Sequence, residues 1–366
     1  MSQKCHEIRL DPGKPLAAQS SSGHNRWHPD IPAILRIDAG DEVTLDTLDA
    51  VDRQILPTTR LEEVAKCDLN VAHPLTGPIW INDAEPGDLL EVQLIDVVAG
   101  HHGWTAQLPG FGFLRDLFPE PHLIRWHLSA GFAESNDLPG VRISEASFPG
   151  VIGVAPSRVQ LQRIAVREQA AAQRGGFVLP PDPRSAIPAT EPLASEGLRT
   201  IPPRETGGNL DVKQLVKGTT VFLPVWTGGA LFSIGDAHFA QGDGEVCGTA
   251  IEMAATFHLR FGLHKGAAHE RGINGVQFTG NAGPGPRGPY YATTGLSMKG
   301  DVQESEDATL AARNALLAMI EYLQRRGFSR QQAYAICSVA VDLHVSEVVD
   351  IPNFVVTAFL PLDIFV

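Results

Sequence analysis

The chain has 366 residues, 43% of them hydrophobic and 19% charged, which excludes a disordered polyelectrolyte and leaves room for one large core or two ordinary ones. Acidic side chains outnumber basic ones by 42 to 29, a formal charge of −13, so a polyanion is repelled and no nucleic-acid partner is expected. No run approaches the roughly 18 consecutive apolar residues of a membrane helix, and the first ten residues carry Lys4, His6, Glu7 and Arg9 in place of an apolar signal core. The expectation is a cytoplasmic protein with no membrane partner.

Glycine (36) and proline (27) cut the chain into short segments joined by turns, the texture of a β-rich protein. Residues 32–48 alternate apolar and polar positions around Gly40-Asp41, which predicts a hairpin, and residues 78–97 repeat the design around Glu85-Pro86-Gly87-Asp88. Further strands are predicted over 141–148, 151–156, 219–226, 230–239, 246–261 and 354–362. Residues 179–205 hold seven prolines and little periodicity, and read as a long ordered excursion within one domain spanning 1–366. Helices are predicted only in small pieces and in the last third. One runs over 308–327, opened by Ser305-Glu306-Asp307 and stopped by Arg325, Arg326 and Gly327; a second, over 330–341, is capped by Ser329. These two form a C-terminal helical pair laid on the sheet. Cys5, Cys67, Cys247 and Cys337 lie far apart and read as reduced, mostly buried thiols, with Cys247 set aside as a nucleophile because it neighbours a dense acidic motif.

That motif is GDAHFAQGDGE (235–245). Asp236 and His238 stand two apart and share a face on an extended chain, and Asp243 and Glu245 do likewise beyond Gly242. Carboxylate oxygen and imidazole nitrogen suit zinc or a similar divalent ion; a hydrogen-bonded turn with solvated acids is the competing reading. Glu252, alone in an apolar run, must be paired or face water, which makes it a candidate general base or a salt-bridge partner of Arg260. The segments His24–His28, Asp46–Asp49 and Asn70–Pro78 place polar side chains at strand ends or loops, where sites gather. The run from Thr206 to Asp211 lacks the phosphate-loop pattern, so Gly207, Gly208 and Asn209 are read as backbone approach to a small substrate and a place for an oxyanion. The Gly-x-Ser-x-Gly and Ser-x-x-Lys patterns of serine nucleophiles are absent.

Taken together, HNRWHPDIPAILRIDAGDEV, TLDAVDRQI, NVAHPLTGPIWINDAEPGDLLEVQLIDV, SFPGVIGVAPS, the stretch from GGNLD to GDAHFAQGDGEVCGTAIE, and AICSVAVDLHVSEVVDIPN resemble the acetamidase/formamidase family through nearly the whole chain. The ordered pair GGNLD and GDAHFAQGDGE is the most specific part. The resemblance implies a mostly β (α+β) fold with a β-sandwich-like core and added α/β elements, a homo-oligomer, and hydrolysis of a small linear amide or a cyclic γ-lactam. It also implies a divalent metal, zinc or calcium. Carried over by position, the family's acidic and histidine motif falls on Asp236, His238, Asp243 and Glu245, with Glu252, Asp49 and His73. The expected roles are metal ligands for Asp236, His238, Asp49 and His73, acid–base catalysis for Glu245, Glu252 and Asp243, and substrate contact for Gly208, Asn209 and His24. A metal-activated water would attack the carbonyl while a carboxylate passes its proton to the leaving nitrogen. The rival from a different class is a non-catalytic β-sandwich binding protein with a structural calcium site.

Overall fold

The computed structural model describes residues 3–129, 131–281 and 288–366. Strands outnumber helices and fall into several sheets, so the molecule is mostly β in an α+β arrangement, as the sequence predicts. The largest sheet has as its spine, in spatial order, Arg142–Ser144, Phe132–Glu134, His122–Ser129, Leu89–Gln107, Glu252–His264, Phe232–His238, Phe148–Val154 and Gly207–Asn209. Phe232–His238 is buried along its whole length, and its apolar run is broken only by Ser233, which bonds His24, and by Asp236 and His238.

Both predicted hairpins form their turns but not their pairing. Leu35–Ile37 runs parallel to Leu75–Ile81, whereas Glu42–Thr47 pairs with Cys5–Ile8 and with Glu252–His264. The buried Asp41 carboxylate accepts the backbone N–H groups of Lys4 and Asp38, and so ties the turn to the N-terminal strand. In the same way Leu75–Ile81 and Leu89–Gln107 leave the Glu85–Asp88 turn toward different neighbours, and Asp88 bonds Lys265 and the N–H of Gly266. Each turn is an arch between strands that pair elsewhere. The predicted 246–261 strand starts only at Glu252, because residues 246–251 form a loop.

The C-terminal helical pair is present as Ala308–Arg325 and Arg330–Ala340, with Asp307 capping the first and Ser329 forming a capping box with Gln332 in the second. The first helix lies on a three-stranded sheet of Tyr290–Leu296, Val355–Pro361 and Asp342–Glu347. Contact is close enough that a Cβ on Gly295 would sit 2.0 Å from the carbonyl oxygen of Ala311. Leu316, Met319 and Ile336 from the helices share one core with Val43, Ile79, Phe232, Phe257 and Phe261 from the large sheet, so the pair is fixed against the body that carries the site.

A third long helix, Arg158–Gln173, was not foreseen. It buries only Gln160, Leu161 and Ile164, too few apolar positions to show a periodic stripe. The proline-rich excursion is ordered: Leu198–Arg199 pairs with Arg26–Trp27, the Asn25 side chain bonds the carbonyl of Ser185 and the N–H of Ile187, and the buried Arg26 guanidinium donates to the carbonyls of Asp182 and Arg184. Among the described residues no helix is long and apolar enough to cross a membrane.

Candidate active site

Three fully buried side chains meet at one point. Asp236 and His238 project from the end of Phe232–His238, and Glu252 opens the neighbouring strand directly opposite His238. His238 Nε2 lies 3.1 Å from Glu252 Oε2 and 3.5 Å from Asp236 Oδ2. Glu245 Oε1 stands 3.9 Å from the same nitrogen, Asp211 joins His238 and Glu245 in a second group of ligand atoms, and His73 Nε2 lies 3.8 Å from Asp236 Oδ2. Asp211, Asp236 and Glu245 all have positive φ, a backbone conformation that non-glycine residues take at a cost and that gathers at functional sites. The floor is Gly150, where a Cβ would lie 2.7 Å from Asp211 Oδ1, Asp236 Oδ2 and His238 Cε1.

The tautomer of His238 follows from its other nitrogen. Gln241 Nε2 donates to the carbonyl of Asp211 at 2.8 Å, which turns Gln241 Oε1 toward His238 Nδ1 at 2.9 Å. Nδ1 therefore carries a proton whether the ring is charged or neutral, and Nε2 is the nitrogen turned to the carboxylates, where it holds a second proton or, once that is lost, offers a lone pair. His238 Nε2, Glu252 Oε2, Asp236 Oδ1, Asp211 Oδ1 and His73 Nδ1 are all buried without a hydrogen-bond partner. The carboxylates gathered around Nε2 need positive charge beside them, which a proton on Nε2 or a bound cation would supply. Donors held at about 2.0–2.2 Å from one ion lie roughly 3.0–3.5 Å apart, the spacing seen from Nε2 to the two carboxylates. The residues present fit a divalent metal.

Burial dominates the electrostatics. It pushes the Glu252 and Asp211 carboxyls each up to about 7, and it raises Glu245 well above the usual carboxylate range with Asp211 adding to the effect. Burial also acts on Asp236, but the neighbouring His73 and His238 overcome it and hold that carboxyl low. For His238 burial is outweighed by Glu252 and Asp236, which raise it well above its ordinary value, whereas burial keeps His73 below its own.

The cluster opens into a cavity of about 340 Å³ whose walls include Ala50, Val51, Trp104, Leu108, Phe111 and Phe177 on the apolar side and Asn209, Asp211, Asp236, Glu245 and Glu252 on the polar side. A larger depression of about 1040 Å³ touches Asp49 and the other edge of Trp104 but none of the clustered residues, so size does not locate the chemistry.

Of the residues singled out in the sequence, Asp236, His238, Glu245, Glu252 and His73 converge, and Asn209 lines the same cavity with its Oδ1 buried and unpartnered. Asp49, Asp243, His24 and Gly208 are placed elsewhere. The Asp49 carboxylate accepts the backbone N–H groups of Val51 and Arg53 and closes a turn, burial raising it to about 6. Asp243 faces Lys213, Asp342 and His344 in an ion-paired knot where a lysine already supplies the cation. His24 is sealed between the Arg26 carbonyl, 2.5 Å away, and the Ser233 hydroxyl, 2.7 Å away. Gly208 sits near Trp27 Nε1 and the Pro202 carbonyl, in a strand paired with Val151–Gly153.

Cys247 is free and buried, its thiol pushed up by burial and turned toward Ala106 and Thr249. Glu252 does not pair with Arg260, which binds Glu42 instead. Asp211 was missed as a site residue. It closes the GGNLD motif, and the signal that could have found it is a lone acid two positions after an asparagine in a glycine-opened loop.

The loop carrying Glu245 is held by the second C-terminal helix. Gly242 donates its N–H to the Ser338 carbonyl at 2.8 Å, Cys247 donates to Ser338 Oγ at 3.0 Å, that hydroxyl donates to the Thr249 carbonyl at 2.7 Å, and the Tyr334 hydroxyl donates to the Val246 carbonyl.

Residues 9–366 match the sequence model of the Acetamidase/Formamidase family. The chain is 37% identical to a formamidase of Methylophilus methylotrophus, over 98% of this chain and 93% of that one. It is 36% identical to an acetamidase of Mycolicibacterium smegmatis, over 89% and 87% of the two chains. Among solved structures, the γ-lactamase from Delftia acidovorans superposes with a TM-score of 0.93 at 36% identity, covering 98% of this chain and 93% of that one. The expected resemblance is borne out over residues 9–366, and the reading as a non-catalytic binding module is not. The chain belongs to the acetamidase/formamidase family and is an amidohydrolase acting on carbon–nitrogen bonds other than peptide bonds.

Proposed function

We propose that the chain hydrolyses a small uncharged carboxamide or γ-lactam at the polar end of the 340 Å³ cavity, with Asp236, His238 and Glu252 holding a divalent metal and Glu245 and Asp211 handling protons. The observation that carries this reading is the buried convergence of Asp236, His238 and Glu252, whose ligand atoms all lie within 4.8 Å of one another, with Nε2 and Glu252 Oε2 lacking any other partner. When bound, such an ion supplies Lewis acidity, polarising a carbonyl and bringing the ionisation of water toward neutral pH. Two carboxylates and an imidazole suit zinc better than calcium, which takes more ligands and takes them as oxygen.

The chain's own groups do the rest. Glu245, within 3.9 Å of His238 Nε2, and Asp211 share one proton, and the ionised member of the pair takes the proton of the attacking water. The pair returns a proton to the departing nitrogen, which cannot leave as an anion. Asp211 beside Glu245 makes a carboxyl pair that favours holding a single proton, so an acid and a base stand together. Asn209 Oδ1 accepts an N–H of the substrate amide and orients its carbonyl. Gln241 keeps His238 in one tautomer. Relative to the sequence reading, Glu252 moves from general base to ligand, and Asp211 takes the place given to Asp243.

The test is ammonia release from acetamide and ring opening of a γ-lactam by the wild type, Asp236→Asn and Glu252→Gln. Each substitution is expected to lower kcat/KM at least about a hundredfold. Near-normal turnover by both variants would overturn the assignment.

A further inference from the structure

The cavity is larger than the smallest amides need, and the end away from the carboxylates carries an apolar wall. At roughly 30 Å³ per water, its 340 Å³ would hold about eleven water molecules, whereas formamide has three heavy atoms and acetamide four. Val51, Trp104 and Leu108 belong to one packed hydrophobic cluster with Phe111 laid against it, so this part of the wall is continuous. Phe111 is seated by design: a Cβ on Gly248 would lie 2.6 Å from the Phe111 ring, and only glycine leaves the ring its place beside the Glu245 loop. At the cavity, Phe177 is 61% exposed, an unusual position for a phenylalanine, and the Arg115 guanidinium stands 5.2 Å over its ring.

We infer that the preferred substrate carries an apolar ring of about phenyl size on its acyl side, which fills the space between Trp104, Phe111 and Phe177 while the amide group reaches the carboxylates. This rests on the hydrolytic reading above and names the substrate class for it. With a two-carbon amide the apolar wall stays wet; with a ring the same wall is dried, and the ring is held where its carbonyl meets the cluster. The reaction is balanced by water alone: phenylacetamide loses its C–N bond, gains a C–O bond, and leaves as phenylacetate and ammonium.

The experiment compares kcat/KM for formamide, acetamide and phenylacetamide, by ammonia release, in the wild type, Phe111→Ala and Phe177→Ala. Because a single methylene in an apolar pocket is worth about 10–200-fold, phenylacetamide is expected to exceed acetamide at least tenfold in the wild type. The ratio of phenylacetamide to acetamide is expected to fall at least tenfold in Phe111→Ala and severalfold in Phe177→Ala, where an exposed side chain is removed and folding is not at stake. Acetamide equal to or better than phenylacetamide in the wild type, or an unchanged ratio in both variants, overturns the inference and leaves amide hydrolysis standing. Ammonia from none of the three amides, together with no ring opening of a γ-lactam, overturns the hydrolytic reading as well.

Discussion

Gly150 sets the geometry of the site more tightly than any of the charged residues it supports. It has no side chain to contribute, yet three groups of the cluster converge on the space where its Cβ would stand, each at 2.7 Å. Gly150→Ala is expected to destabilise the fold by about 1–3 kcal/mol through overpacking and to lower amide turnover at least tenfold, read together by denaturant unfolding and ammonia release. Wild-type turnover in that variant would show that the cluster is not the seat of catalysis. Sequence spacing was informative where the site is local. Asp236 and His238 share a strand end, and Glu252 stands out as an acid in an apolar run. It was uninformative where partners are brought together by the fold: Asp49 and Asp243 are acids in similar company, but one is satisfied by backbone N–H groups in its own turn and the other by Lys213. Nothing in the letters around them says so.

At the scale of elements, the C-terminal helical pair is what holds the Glu245 loop. Both helices were legible because their caps are written locally, in Asp307, Ser329 and Gln332. Their use was not, since it depends on Ser338 and Tyr334 meeting a loop about ninety positions earlier. Ser338→Ala strands the buried Cys247 N–H and Thr249 carbonyl, and is expected to cost about 1–3 kcal/mol in chemical denaturation, with kcat falling and KM changing little. Unaltered stability and kcat would mean that the loop is held by packing alone. The same contrast explains the two false hairpins. Turn residues announce a turn, but which strands pair is decided by partners such as Cys5–Ile8 and Glu252–His264, far away in the chain. Helix Arg158–Gln173 escaped notice because it offers the core so little.

For the molecule as a whole, a buried imidazole with no counter-charge makes stability sensitive to acid. Burial lowers His24 from its ordinary 6.5 to about 4, so the folded chain keeps it neutral while the unfolded chain protonates it between those values. Its contribution is fully present above pH 6.5 and is lost as pH falls toward 4, a change of about 3 kcal/mol. Denaturant unfolding of the wild type and His24→Asn at pH 7 and pH 4.5 should show a flatter pH dependence in the variant by about 2–3 kcal/mol; parallel curves would contradict a buried neutral His24. The mostly β architecture was legible in glycine, proline and alternation, and so was the chemistry in its densest motif. The central claim joins the two: the fold brings Asp236, His238 and Glu252 to one point in order to hold a divalent ion beside Glu245. It is tested most directly by measuring the divalent metal bound per chain in the wild type and in His238→Ala, together with ammonia release before chelation, after it and after metal is restored. The expected result is an ion bound by the wild type and lost from the variant, with turnover that disappears and returns with the metal. Full turnover by a demonstrably metal-free wild-type chain would contradict it.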